Sequence, residues 1–126
     1  MLEVLVVEPD IVFREALIWS FQDFKKTFKD AEAMNPQFPP TPDEALALLR
    51  GGYCPTDFVV DTDAVLFSSY AEMAALTGLV RIYAVGKIDN LQFHKHAKIL
   101  KRPYQFIPND KMTAVPYAVA LDKNHC

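Results

Sequence analysis

The chain is poor in the residues that usually announce a specialised chemistry. Cysteine occurs twice, as Cys54 and Cys126, and neither belongs to a short Cys-x-x-Cys pair that could grip zinc or exchange a disulfide, so both read as idle thiols. Glycine occurs four times, never as the clustered loop that cradles phosphate, and a serine elbow and a paired His-Cys motif are missing as well. These absences leave an independent enzyme without a visible centre. Long apolar runs are also missing: the longest are a few residues, against the ~20 needed to cross a bilayer, and the N-terminus lacks a basic segment followed by an apolar signal region. A soluble, cytoplasmic protein with no membrane partner is expected. Positive charge is not in excess either. With a net charge of −3 and no basic stripe interleaved with aromatics, direct nucleic-acid binding has little electrostatic support. His94, His96 and the terminal His125 with Cys126 could be imagined around a metal, but residues two apart on a helix point in different directions, and a solvated turn is the expectation.

What is present is the alternation of a compact α/β domain. At 126 residues and 51% hydrophobic, residues 1–126 are sized for one domain with one core. Leu2 to Val7 is short, branched and apolar, as a strand buried on both faces would be. From Ile11 to Lys25, Phe13, Ala16, Leu17, Ser20, Phe21 and Phe24 fall on one helical arc, while Ile11 with Ile18 and Val12 with Trp19 lie outside it. Either this helix is covered on more than one side or it offers apolar surface to a partner. The stretch "FKDAEAMNPQFPPTP" predicts a strand within 26–34 and then a long proline-rich loop, read as a spacer or as a proline-rich docking ligand. "TPDEALALLRGG" spells out a helix start, with Thr41 as N-cap, Pro42 at the first position and Glu44 completing a capping box.

"TDFVVD" predicts a third strand ending at Asp61. Ser69 with Glu72 predicts the start of a third helix that Gly78 stops. "LVRIYAV" predicts a fourth strand, Asp89 or Asn90 opens a short helix, and "KILK" predicts a fifth strand ended by Arg102 and Pro103. The tail from 109 to 121 reads as helical, with Pro116 either kinking it or starting it. Strands and helices alternating in this way predict parallel βαβ units in a doubly covered sheet, whose ligand sites lie at the carboxyl ends of the strands. Glu8, Asp10, Asp61, Val85 and Arg102 all fall at or just beyond predicted strand ends.

These motifs resemble the receiver domain of bacterial two-component response regulators. "VLVVEPDIVFREAL" matches that family's opening strand, acidic pair and first helix, "DEALALLR" matches its second helix, and Asp61 falls in the register of the phosphoacceptor. The resemblance covers nearly the whole chain. It implies a flavodoxin-like (βα)5 fold, a doubly wound five-stranded parallel sheet, here with shortened helices 3 and 4 and the long loop before helix 2. A working receiver of this kind needs three carboxylates around Mg²⁺, a hydroxyl that answers the phosphoryl group and a lysine that contacts it.

Set against that pattern, the site is depleted. Glu8 stands for the first acid, but Pro9 occupies the place of the second. Asp10 either reaches in or caps the following helix. Val85 replaces the switch hydroxyl with a methyl of the same shape, and Arg102 replaces the lysine. Val65 stands where the family usually carries a proline. The reading is a degenerate, pseudo-receiver module of signal transduction without a normal aspartyl-phosphate cycle, without cofactor or metal and without enzymatic activity. Its partner would be a sensor kinase, another signalling protein or a second copy, with Trp19, Tyr104 and Tyr117 as contact candidates and Phe93 and Phe106 expected in the core. The alternative is an atypical active receiver phosphorylated on Asp61, with Glu8, Asp10 and Asp61 holding Mg²⁺ and Arg102 on the phosphoryl oxygens.

Overall fold

A computed structural model describes residues 1–78, 80–87 and 89–121. Strands and helices alternate through it as β1 (Leu2–Val7), α1 (Ile11–Thr27), β2 (Met34–Gln37), α2 (Pro42–Arg50), β3 (Asp57–Asp61), α3 (Phe67–Thr77), β4 (Arg81–Gly86), α4 (Leu91–Leu100), β5 (Gln105–Pro108) and α5 (Val115–Leu121). A short 3-10 helix over Asn109–Ala114 leads into α5, so Pro116 lies at the start of a helix, where its missing N–H costs nothing. Every strand pair is parallel and the order is β2-β1-β3-β4-β5. The alternation predicted parallel βαβ units, and the flavodoxin-like strand order is the one the receiver resemblance implies.

The two-residue period of the strands divides the core. Leu5, Val7, Phe58, Val60, Ile82 and Ala84 turn toward α2, α3 and α4, meeting Leu46, Tyr70, Met73 and Phe93. Val4, Val6, Val59, Tyr83, Val85 and Ile107 turn to the other face and meet Leu17 and Phe21 of α1 with Val115 and Val119 of α5. Because both faces are covered, β1 is buried at all but Glu3 and β3 along its whole length, with apolar centres Val4–Val7 and Phe58–Val60. Phe93 belongs to this core, and Phe106 is packed against it.

Three elements differ from their predicted positions. The second strand is Met34–Gln37, later than predicted, and contains Pro36. Leu2 N–H donates to Ala33 O, so alternate residues of β2 address β1, and the backbone of Pro36 turns to the open side of an edge strand, where a missing N–H is tolerated. The loop before α2 is correspondingly shorter, spanning 38–41. α3 starts at Phe67 and has Leu66, not Ser69, as its N-cap residue, without a side-chain cap bond. "KILK" is not a strand: it closes α4, and Lys101 sits in the left-handed region at φ 57° as the C-cap. α3 and α4 have 11 and 10 residues, well short of the 17 of α1.

Candidate functional site

The carboxyl edge of the sheet brings Glu8 and Asp61 together. Val6 pairs with Val59 and Val7 with Val60, so the next residue of each chain, Glu8 and Asp61, comes level on the same face. Both are buried, at 1% and 6% exposure. Burial, and after it the hydrogen bond and negative charge of Asp61, push the Glu8 carboxyl up to about 9; the side chain is therefore neutral at physiological pH. Asp10 N–H donates weakly to Glu8 Oε2 at 3.4 Å. Glu8 Oε1 is buried with no partner inside normal hydrogen-bond geometry, whereas Asp61 is near enough to help retain the proton. Burial thus leaves a neutral Glu8 carboxyl beside Asp61 in place of two facing charges.

Asp61 has a second task. Its Oδ1 accepts from the N–H groups of Asp63 and Ala64, at 2.9 and 3.2 Å, and so shapes the turn into α3. Asp10 is the N-cap of α1: its Oδ1 accepts from Val12 N–H at 2.9 Å and Phe13 N–H at 3.3 Å. Pro9 between them is half-buried and offers no donor or acceptor side chain. The guanidinium of Arg14 reaches the carbonyl oxygens of Glu8 and Pro40, not a carboxylate. Val85 is buried in the lower core, and its carbonyl takes the N–H and the hydroxyl of Thr62, at 2.8 and 3.1 Å.

The sequence reading passed over Thr62 and gave Asp63 no role. Asp63 fastens the β3–α3 turn to the loop that opens α4, accepting from Lys87 N–H at 2.8 Å and Asn90 Nδ2 at 2.9 Å. Asn90 caps α4 through its other amide atom, accepting from Phe93 N–H. A Cβ on Gly86 would fall 2.2 Å from Thr62 Oγ1, so this close approach of the two loops requires glycine. A signal was available in "DTDA": acids and a threonine clustered after a buried strand. Beside this clamp lies a cleft of about 450 Å³, bordered by Asp63, Lys87, Asn90, Phe67 and His96 and not by Asp61.

Arg102 is not part of the carboxyl edge. Because residues 98–101 finish a helix instead of forming a strand, Arg102 precedes β5 and lies at the opposite, amino edge. There its guanidinium donates to the carbonyl oxygens of Ala74 and Gly78 and closes the C-terminus of α3. Level with Asp61 and Val85 on β5 is Ile107, a buried apolar residue. Tyr104 is half-buried against the core, bonded to His94 Nδ1 at 2.6 Å and packed on the Phe93 ring. Tyr117 packs edge-on against Phe24 and Phe28. Trp19 alone of the three contact candidates is fully displayed, 60% exposed beside Val12 at 69% and Ile11 at 62%.

The amino edge holds a second feature missed in the sequence. Asp57 is wholly buried; Arg81 meets it through two bonds of 2.7 Å, and the Thr56 and Tyr83 hydroxyls also donate to it. This network ties β3 to β4.

Of the oxygens that a hard, six-coordinate Mg²⁺ ion would draw on at the carboxyl edge, Asp10 Oδ1 caps α1 and Asp61 Oδ1 holds the turn into α3, while Pro9 has no side-chain oxygen. Among the described residues no three of His, Cys, Asp and Glu stand together as a metal group, and Cys126 and His125 lie outside the described residues. No helix is long and apolar enough to cross a membrane among the described residues. Comparison with models of known protein families and with curated protein sequences finds no match, so the flavodoxin-like fold and the geometry of its two edges are the ground for any functional reading.

Proposed function

We propose that the chain is a receiver-like signalling module that works through protein contact or self-association and carries no normal aspartyl-phosphate cycle. The observation that supports this most is Ile107, an apolar residue level with Asp61 where the receiver pattern has a lysine. A phosphoryl group entering there would meet Asp61 without that cation, with no carboxylate at Pro9 and with Asp10 Oδ1 committed to its cap. The receiver family enters only by resemblance of motif and fold, which does not by itself carry function.

The contact surface favoured by exposure is the outer stripe of α1, where Ile11, Val12 and Trp19 are displayed around Glu15. Apolar groups so close together on one helix face mark an interaction surface more readily than scattered ones. The partner is a sensor kinase, another signalling protein or a second copy of the chain, not a nucleic acid or a membrane. The test uses Trp19 as reporter. With Mg²⁺ and a small phosphodonor such as acetyl phosphate, the fluorescence of the protein is expected to stay unchanged. A Mg²⁺-dependent change that disappears in Asp61→Asn would restore the atypical active receiver.

A further inference from the structure

A groove beside the edge strand β2, not lined by Glu8 or Asp61, has the character of a small-molecule site. It lies between α1, the turn that follows it and β2, and its volume of ≈ 770 Å³ is within the about 300–1,000 Å³ usual for such sites. Ile18, Phe21, Phe28, Met34 and Phe38 supply an apolar wall. Phe28 remains 43% exposed even though its ring touches Phe24 and Tyr117.

Two features narrow the occupant. The open side of β2 is a poor template for an added strand, because the backbone facing outward includes Pro36, which has no N–H to offer. The rim carries a net positive charge. Lys25 and Lys29 border the groove and enter no ion pair among the described residues, while Glu32, the acid of the lining, is already engaged by the N-terminal ammonium at 3.4 Å. An apolar trough with free cations at its mouth complements a chain that is greasy along its length and anionic at one end.

We propose that this groove binds a single-chain amphipathic carboxylate of the fatty-acid class, its hydrocarbon against Ile18, Phe21, Phe28, Met34 and Phe38 and its headgroup on Lys25 and Lys29. This site is separate from the Glu8–Asp61 pair and stands or falls independently of the phosphorylation reading. The occupant is a monomeric amphiphile, not a bilayer surface.

The test is a titration of the full chain with cis-parinaric acid, followed by displacement with palmitate, palmityl alcohol and cetyltrimethylammonium. Saturable binding with a Kd of about 1–10 μM is expected. Palmitate displaces the probe, and the alcohol and the cation do so at least about tenfold less well, the loss expected when a charged hydrogen bond is not made. Lys25→Glu combined with Lys29→Glu, both at exposed positions and so harmless to the fold, weakens the carboxylate by at least about the same factor. Ile18→Asp, checked for unchanged circular dichroism, removes binding altogether. Non-saturable uptake of the probe, equal displacement by all three amphiphiles, indifference to the lysine pair, or association only with added phosphatidylglycerol vesicles would each overturn the assignment.

Discussion

Two carboxyl groups facing each other out of water cannot both ionise without a counter-charge, and the carboxyl edge resolves this by leaving a proton on Glu8. The consequence can be measured in stability. The Glu8 pKa rises from an ordinary 4.5 in the free side chain to about 9 in the fold. The folded state therefore binds the proton more tightly than the unfolded chain does. The stabilisation is complete below about 4.5, declines as pH rises, and is lost above about 9. Urea unfolding of the wild-type chain should then lose a term with a slope of up to about 1.4 kcal/mol per pH unit across this window. Glu8→Gln keeps a neutral donor for Asp61 and should remove that term; identical slopes in the two proteins would contradict the assignment. Asp57 is a different case, a buried side chain that Arg81 meets with two bonds. Arg81→Met breaks this buried ion pair and should destabilise the fold by about 3–5 kcal/mol in urea titrations. Asp57 was hard to read from sequence because "TDFVVD" looks like a strand bounded by acids, and only the register with Arg81 shows that the first acid is inside.

At the scale of elements, the sequence was most readable where capping chemistry and period agree. Thr41 accepts from Glu44 N–H and opens α2 as the motif predicts, and Asn90 does the same for α4. It was least readable where a short run suits either period. "KILK" is a short apolar pair between lysines that suits strand or helix, yet it follows helical residues, and Lys101 in a left-handed cap ends the helix without glycine. That one misplacement carried Arg102 from the carboxyl edge to the amino edge. The β2 strand was hidden by Pro36, whose outward backbone can be recognised only once the strand is known to lie at the edge. Arg102 now has an elemental role, joining the end of α3 to the start of β5 through the Ala74 and Gly78 carbonyls. Arg102→Ala should cost about 1.5–3 kcal/mol of stability, as expected for bonds from a charged donor. It should leave the pH slope assigned to Glu8 unaltered, whereas a shared effect would place the two residues in one site after all.

For the whole molecule, the alternation of apolar strands and amphipathic helices was enough to predict a parallel sheet covered on both faces, and the strand order is the one the receiver resemblance implied. What the surface does was less legible. A tyrosine in the sequence does not say whether it is outside, and Tyr104 and Tyr117 are both tied into aromatic contacts of the fold, whereas Trp19 is not. The α1 stripe is accordingly where association is expected. Sedimentation velocity at increasing concentration, or binding to a signalling partner, should show an interaction that Trp19→Ala with Val12→Ser weakens by at least about tenfold, since a central aromatic commonly contributes about 2 kcal/mol or more. A partner interaction untouched by both substitutions would move the surface elsewhere.

The account turns on the state of two carboxyl groups, and carbon-detected NMR of the side-chain carboxyls observes them directly. With labelled glutamate and aspartate, one glutamate resonance, absent in Glu8→Gln, should titrate well above neutral pH. Adding Mg²⁺ at about 10 mM, roughly a hundredfold above a Kd of about 0.1 mM, should leave it and the Asp61 resonance in place. A Glu8 carboxyl that is ionised at neutral pH and shifts together with Asp61 on addition of Mg²⁺ would contradict the account and return the carboxyl edge to phosphoryl chemistry.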